Sequence, residues 1–204
     1  MPENTNKYRL FILTLLAMTL MACGGGRNVV NRFYVLEFTP EMPVAELSIA
    51  ADQPGVFIAE PLINPAVAGH QIALREKSHE LRYFSHHEWA IRPDEAIRRL
   101  MTHLLDQSGA FSHITTGRLP DNEKDLVFQI RVDNMELLYG GKDFAAHLKI
   151  EILITDPAEE IPSYRKAFEY QQRLPKRDVN HFAAALSHMF AEATAEMLQE
   201  FRVS

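Results

Sequence analysis

Between Leu126 and Leu174 the chain sets apolar against polar residues three times over, and this pattern limits the fold more than any other feature. Leu126, Phe128, Ile130 and Val132 alternate with Val127, Gln129 and Arg131. Leu148, Ile150, Ile152 and Ile154 alternate with Lys149, Glu151 and Leu153 in a segment running from Phe144 to Thr155. A period of two places successive side chains on opposite faces of a strand. Tyr164 to Leu174 supplies a third strand, with Tyr164, Lys166, Phe168 and Tyr170 sharing a face. Tyr139-Gly140-Gly141-Lys142 is a turn signal, and Asp156-Pro157 ends the second strand. Three consecutive strands on short connections predict an antiparallel meander with one apolar face and one wet face. The apolar face needs a cover.

Two amphipathic helices can provide it. Pro93 to Gln107 starts with a proline suited to the first helical position, carries Asp94 and Glu95 in its first turn, and is followed by Gly109. Ile97, Leu100, Met101, Leu104 and Leu105 fall on one side of it. The closing helix is predicted from about Val179 to Phe201, capped by Asp178. Its stripe is Phe182, Leu186, Met189, Phe190, Ala193, Met197 and Phe201, with Ala183, Ala184, Ala185, Ala191 and Ala195 narrowing the remainder. Upstream, Arg32 to Phe38 and Val56 to Ala59 read as strands, and Gln71 to Arg75 with Leu81 to Ser85 as a hairpin. Pro40, Pro43, Pro54, Pro61 and Pro65 interrupt this part. The economical arrangement is an α+β fold: an antiparallel or mixed sheet with two amphipathic helices packed on one face, in two layers.

The N-terminus has a different purpose. Lys7 and Arg9 precede an apolar run, Leu10 to Cys23, of signal-peptide length and too short to span a membrane. It closes on Leu20-Met21-Ala22-Cys23, the order of a bacterial lipobox, with cleavage between Ala22 and Cys23. Cys23 is the single cysteine of the 204 residues. Acylation of its sulfur leaves the mature domain without a free thiol, disulfide or thiolate metal site. Each buried methylene of an acyl chain contributes about 0.8 kcal/mol, so two or more chains anchor the protein stably. The predicted organisation is a signal peptide over residues 1–22, a lipidated Cys23 with a glycine-rich tether over 23–31, and one α+β domain over 32–204. Gly24 after the cysteine points to the outer membrane, facing the periplasm. Loss of Lys7, Arg9 and Glu3 with the leader leaves 19 basic and 26 acidic residues (21 − 2 and 27 − 1). The scattered basic residues of this acidic chain argue against nucleic acid as a partner.

Chemistry-bearing clusters are few. Adjacent His86 and His87, before Glu88, would point to opposite faces of a strand, which opposes a shared metal. His181 and His188 lie seven apart on a helix, roughly 10 Å by helix rise. His103 and Asp106 are spaced for a surface pair. Ser108-Gly109 and Ser187-His188 lack the strand–turn–helix setting of a nucleophile elbow, so no catalytic residue, cofactor or metal is expected. Met101, Met189 and Met197 fill core or line a lipid pocket. Trp89 is a packing residue or part of an interface.

Taken together, the lipobox at Cys23, Tyr34-Val35-Leu36, Gln71-Ile72-Ala73-Leu74-Arg75, Glu88-Trp89-Ala90 before a helix with Ile97, Leu100 and Leu104, the long hairpin and the alanine-rich last helix resemble the ABC-type transport auxiliary lipoprotein family. The resemblance implies a non-enzymatic periplasmic component that docks an MCE-type protein and its inner-membrane ABC transporter to the outer membrane for phospholipid traffic. Assembly with further copies of the chain is compatible with it. An alternative is a module that itself carries a lipid in an apolar cavity between helices and sheet.

Overall fold

The computed structural model describes residues 30–39, 42–43, 53–117, 125–141, 143–159 and 161–201. The expected signal peptide, the expected cleavage point at Ala22 and Cys23, and the expected tether as far as residue 29 lie outside the described residues. Among the described residues no helix is long and apolar enough to cross a membrane.

The chain order is β1 (Arg32–Tyr34), β2 (Val56–Ile58), β3 (Leu62–Ile63), β4 (Gln71–Lys77), β5 (Glu80–Trp89), α1 (Pro93–Ser108), β6 (Ile114–Thr116), β7 (Leu126–Gly140), β8 (Asp143–Thr155), β9 (Tyr164–Leu174) and α2 (Val179–Phe201). The strands join in one mixed sheet built on β7. The predicted meander forms along one side, β7 pairing antiparallel with β8 and β8 with β9. Along its other side β7 receives three short parallel partners in turn: β2 at Leu126 to Phe128, β3 at Arg131 and Val132, and β4 at Leu137 and Leu138. Beyond these, β6 pairs parallel with β2, and β5 joins β4 to β1. The fold is thus α+β with a mixed sheet. The first strand is shorter than its aromatic run suggests, and β4 and β5 are longer than the predicted hairpin.

β7 carries its alternation further than the sequence pattern reads, because a bulge resets it. Val132 pairs with Ile150 but Asn134 with Lys149, so Asp133 is an extra residue on the β7 side. The inward set is Phe128, Ile130 and Val132 before the bulge and Met135 and Leu137 after it, all buried.

Both helices pack on that face. The residues assigned to the apolar side of α1 are all buried, and Gly109 ends the helix in the left-handed region at φ 61°. At α2 the Asp178 carboxylate accepts the Asn180 N–H at 2.9 Å and the Asp178 carbonyl that of Phe182, the predicted cap. Lys166 points inward with the apolar residues of β9 and reaches Glu196 of α2 at 2.7 Å, its stem covering apolar surface. Phe128, Ile130, Leu137, Leu148, Ile152, Met101, Phe182, Leu186, Phe190 and Met197 expose no surface, not even to an internal void large enough for water. Full burial of each such side chain contributes roughly 1.5–3 kcal/mol. It also leaves no room among these residues for a lipid between helices and sheet, the space the carrier alternative requires.

Candidate functional site

A second, larger irregularity interrupts the β4–β5 pair. Ala73 lies opposite Tyr83 and Gln71 opposite Glu88, so two steps on β4 face five on β5 and three residues are extra. On its other edge β5 pairs with β1, His87 opposite Arg32, while Glu88 keeps Gln71 of β4. Here Phe84, His86 and His87 all line one cleft of about 490 Å³, closed by Arg32 and Tyr34 of β1, Arg82 and Tyr83 of β5, and Arg177 and Asp178 ahead of α2. His86 touches Asn31 at 3.4 Å while His87 stacks on Tyr34, so the two imidazoles have different partners, as expected of neighbours on a strand.

The cleft walls are fixed by ring contacts. Tyr34 stacks on His87 with centroids 5.5 Å apart, its hydroxyl 2.7 Å from His87 Nδ1, and Phe84 meets the same imidazole edge-on at 5.3 Å. The Arg177 guanidinium lies over Phe84 at 5.1 Å and near Phe144 at 6.0 Å. Burial, and after it the charges of Arg32 and Arg177, lower the pKa of His87 below its ordinary value. A neutral His87 that accepts the Tyr34 hydroxyl at Nδ1 carries its own proton on Nε2.

The charges of the cleft divide into engaged and free. Glu76 is bound by Arg82 at 3.2 Å, and Arg82 also holds Glu80. Asp178 is occupied by the Asn180 N–H, Lys176 and His181, and its pKa is lowered, by that N–H first. Arg32 and Arg177 have no carboxylate within ion-pair distance among the described residues. Of the other described arginines only Arg98, on α1, shares that condition.

The remaining candidate residues have structural partners. Trp89 is 3% exposed and packs on Phe182 at 6.1 Å, its backbone clasped by His70 through both N–H and carbonyl. His103 lies against the Phe38 ring, and His188 is exposed. Ser108 is buried and donates to the Leu105 carbonyl. Ser187 is buried, donates to the Ala183 carbonyl and accepts the Glu37 N–H, so it ties the segment after β1 to α2. Met101, Met189 and Met197 are core. Among the described residues no three His, Cys, Asp or Glu side chains converge as a metal set.

One array had no sequence signal. Ser112 Oγ lies 3.1 Å from His113 Nδ1, and His113 Nε2 lies 3.0 Å from Asp125 Oδ2, a Ser–His–Asp line with the two ring nitrogens exchanged relative to a hydrolase relay. Ser112 and His113 are neighbours on an exposed bend, and Ser112 lines none of the clefts described here. Asp125 is buried, Gly55 packs against the imidazole, and the Gly55 carbonyl accepts the Leu126 N–H. The array pins the corner where β2, β6 and β7 meet.

The family model for the ABC-type transport auxiliary lipoprotein component matches residues 34–198. No curated protein matches the chain. Among solved structures, a protein from Xanthomonas campestris, XCC0632, superposes with a TM-score of 0.66 at 17% identity, covering 82% of this chain and 92% of that one. An uncharacterized protein superposes with a TM-score of 0.64 at 14% identity, over 84% of this chain and 98% of its own. At such identities the likeness is one of fold.

Proposed function

The chain belongs to the ABC-type transport auxiliary lipoprotein family, and on that premise we propose that it is the outer-membrane-anchored accessory subunit of an MCE-type ABC lipid transport system. Cys23 is the acylated anchor after cleavage from Ala22, the tether holds residues 32–204 on the periplasmic side, and the cargo is phospholipid whose traffic maintains the envelope. The role is one of docking, without catalysis. The family match across residues 34–198 carries the reading. The lipobox at Cys23, upstream of the matched stretch, supports it independently.

The test is a crosslinking pull-down of the lipidated protein from intact envelopes, with Cys23→Ala as control. Recovery of an MCE-type protein or a transporter subunit with the wild type, and its loss with Cys23→Ala, is the expected result. A wild-type protein that stays in the membrane fraction but recovers neither refutes the accessory role.

A further inference from the structure

We propose that the cleft beside the β5 bulge is a binding site for a phosphate ester anion, held between Arg177 and Arg32 against the wall formed by Tyr34, Phe84 and His87.

Unspent charge is the first reason. The protein carries a net charge of −6, and the two carboxylates that line the cleft are already occupied, Glu76 by Arg82 and Asp178 by Lys176, His181 and a backbone N–H. Among the described residues Arg32 and Arg177 are left as cations without a carboxylate, and a guanidinium is charged at every relevant pH and offers donors in a rigid fork. The second reason is preorganisation. Arg177 is held over two aromatic rings, so less side-chain freedom is lost when it takes a ligand. His87, where its Nδ1 accepts the Tyr34 hydroxyl, offers Nε2–H as a further donor.

Direction favours a phosphate over a carboxylate. Arg32 comes from β1 and Arg177 from the β9–α2 connection, so the donors approach from separate elements. A tetrahedral phosphate presents oxygens on several sides, whereas the two oxygens of a carboxylate share one plane. The ester substituent finds apolar surface at Leu74, Tyr83 and Phe84, in a cleft within the range of ligand sites. Both a phospholipid headgroup and a soluble phosphate ester have this chemistry. Asn31, which touches His86 at 3.4 Å, stands eight positions after Cys23 (31 − 23), at most about 25–30 Å of extended chain. The headgroup source rests on acylation of Cys23, but the phosphate site itself depends neither on that nor on a transporter partner.

The experiment uses the full chain in non-ionic detergent and three probes: dihexanoyl-phosphatidylglycerol, inorganic phosphate, and dihexanoylglycerol as the phosphate-free control. Binding is followed by calorimetry for the wild type, Arg177→Gln, Arg32→Gln, and Arg98→Gln, which among the described arginines outside the cleft is the one without a carboxylate partner. The expected result is saturable binding of a phosphate probe, weakened about tenfold or more in both cleft variants, as for loss of a charge-assisted hydrogen bond, and unchanged in Arg98→Gln. Tighter binding of the phosphatidylglycerol than of phosphate assigns the headgroup, and equal binding assigns a soluble ester. Absence of saturable binding to both phosphate probes, equal binding in all three variants, or equal binding of dihexanoylglycerol overturns the site. The wild type alone gives a second readout should a variant fail to fold: a bound anion raises the His87 pKa, and an imidazole titration unmoved by saturating probe also overturns it.

Discussion

Replacing Glu136 by Gln tests whether the outer face of the sheet is held by one buried carboxylate. Glu136 lies on β7 on the side away from the helices, its side chain 1% exposed. Its Oε1 accepts from Arg75 Nε at 2.7 Å, from Asn134 Nδ2 at 3.2 Å, and lies 3.3 Å from His147 Nδ1, directly across the ladder on β8. Burial alone would raise its pKa, but hydrogen bonds from His147 and Arg75, with their charges, win and lower it from 4.5 to about 2. At about 1.4 kcal/mol per pH unit this corresponds to roughly 3 kcal/mol of stability. The carboxyl pKa is depressed by folding, so its contribution is complete above 4.5 and is lost as pH falls from there through about 2. His147 has the opposite sign: Glu136 first, and Glu169 after it, raise its pKa against burial, so its contribution is complete below 6.5 and is lost as pH rises through the raised value. Gln keeps the shape and removes the charge. Urea unfolding followed by circular dichroism should show Glu136→Gln about 3 kcal/mol less stable at pH 6, converging on the wild type toward pH 2, with a weaker loss above pH 6.5. A cost below about 1 kcal/mol at pH 6, the range of an exposed pair, or a difference that does not change between pH 2 and 6, refutes the argument.

Three further changes have definite signs. Gly55→Ala places a Cβ on the His113 ring and on Asp125 Oδ1, and should cost about 1–3 kcal/mol as overpacking; combining it with His113→Ala should cost less than the sum of the two, read by a double-mutant cycle in urea. Trp89→Ala removes the buried indole from Phe182 and should cost about 3–5 kcal/mol, with Trp89→Phe retaining most of the stability in the same unfolding assay. Asp178→Ala uncaps α2 and should cost about 1 kcal/mol, measured as a shift of the thermal midpoint.

The meander and both helices were legible because each repeats its pattern over seven or more residues. The apolar side of α1 and the stripe of α2 needed only a period of 3.6, and Asp178 and Gly109 mark their ends by local chemistry. The other half of the sheet gave no such signal. β3 has two residues and β6 three, too few to show a period, and their pairing with β7 and β2 joins positions far apart in the chain. Asp133 hid the far end of β7, because one extra residue moves the inward set from even to odd numbers. The three extra residues of β5 likewise break the β4–β5 register at a point that no residue in the sequence marks.

The cleft was therefore half visible. His86 and His87 stood out as a dense pair and drew the question of a metal, but the residues that give the site its charge are Arg32 and Arg177, which lie 145 positions apart (177 − 32) and belong to no motif. Pairing separates structural from available charge once the fold is known. On the outer face Arg75 meets Glu136, and Arg131 and Arg165 both meet Glu151, so each cation there compensates a carboxylate shielded from water. Removing one of these arginines takes a donor from a carboxylate shielded from water, and the cost appears as stability. Removing Arg32 or Arg177 strands no carboxylate, so the folded protein should tolerate the change and the loss should fall on whatever anion the cleft receives. Cleft variants that unfold as readily as Arg165→Gln would show that the two arginines serve the fold after all.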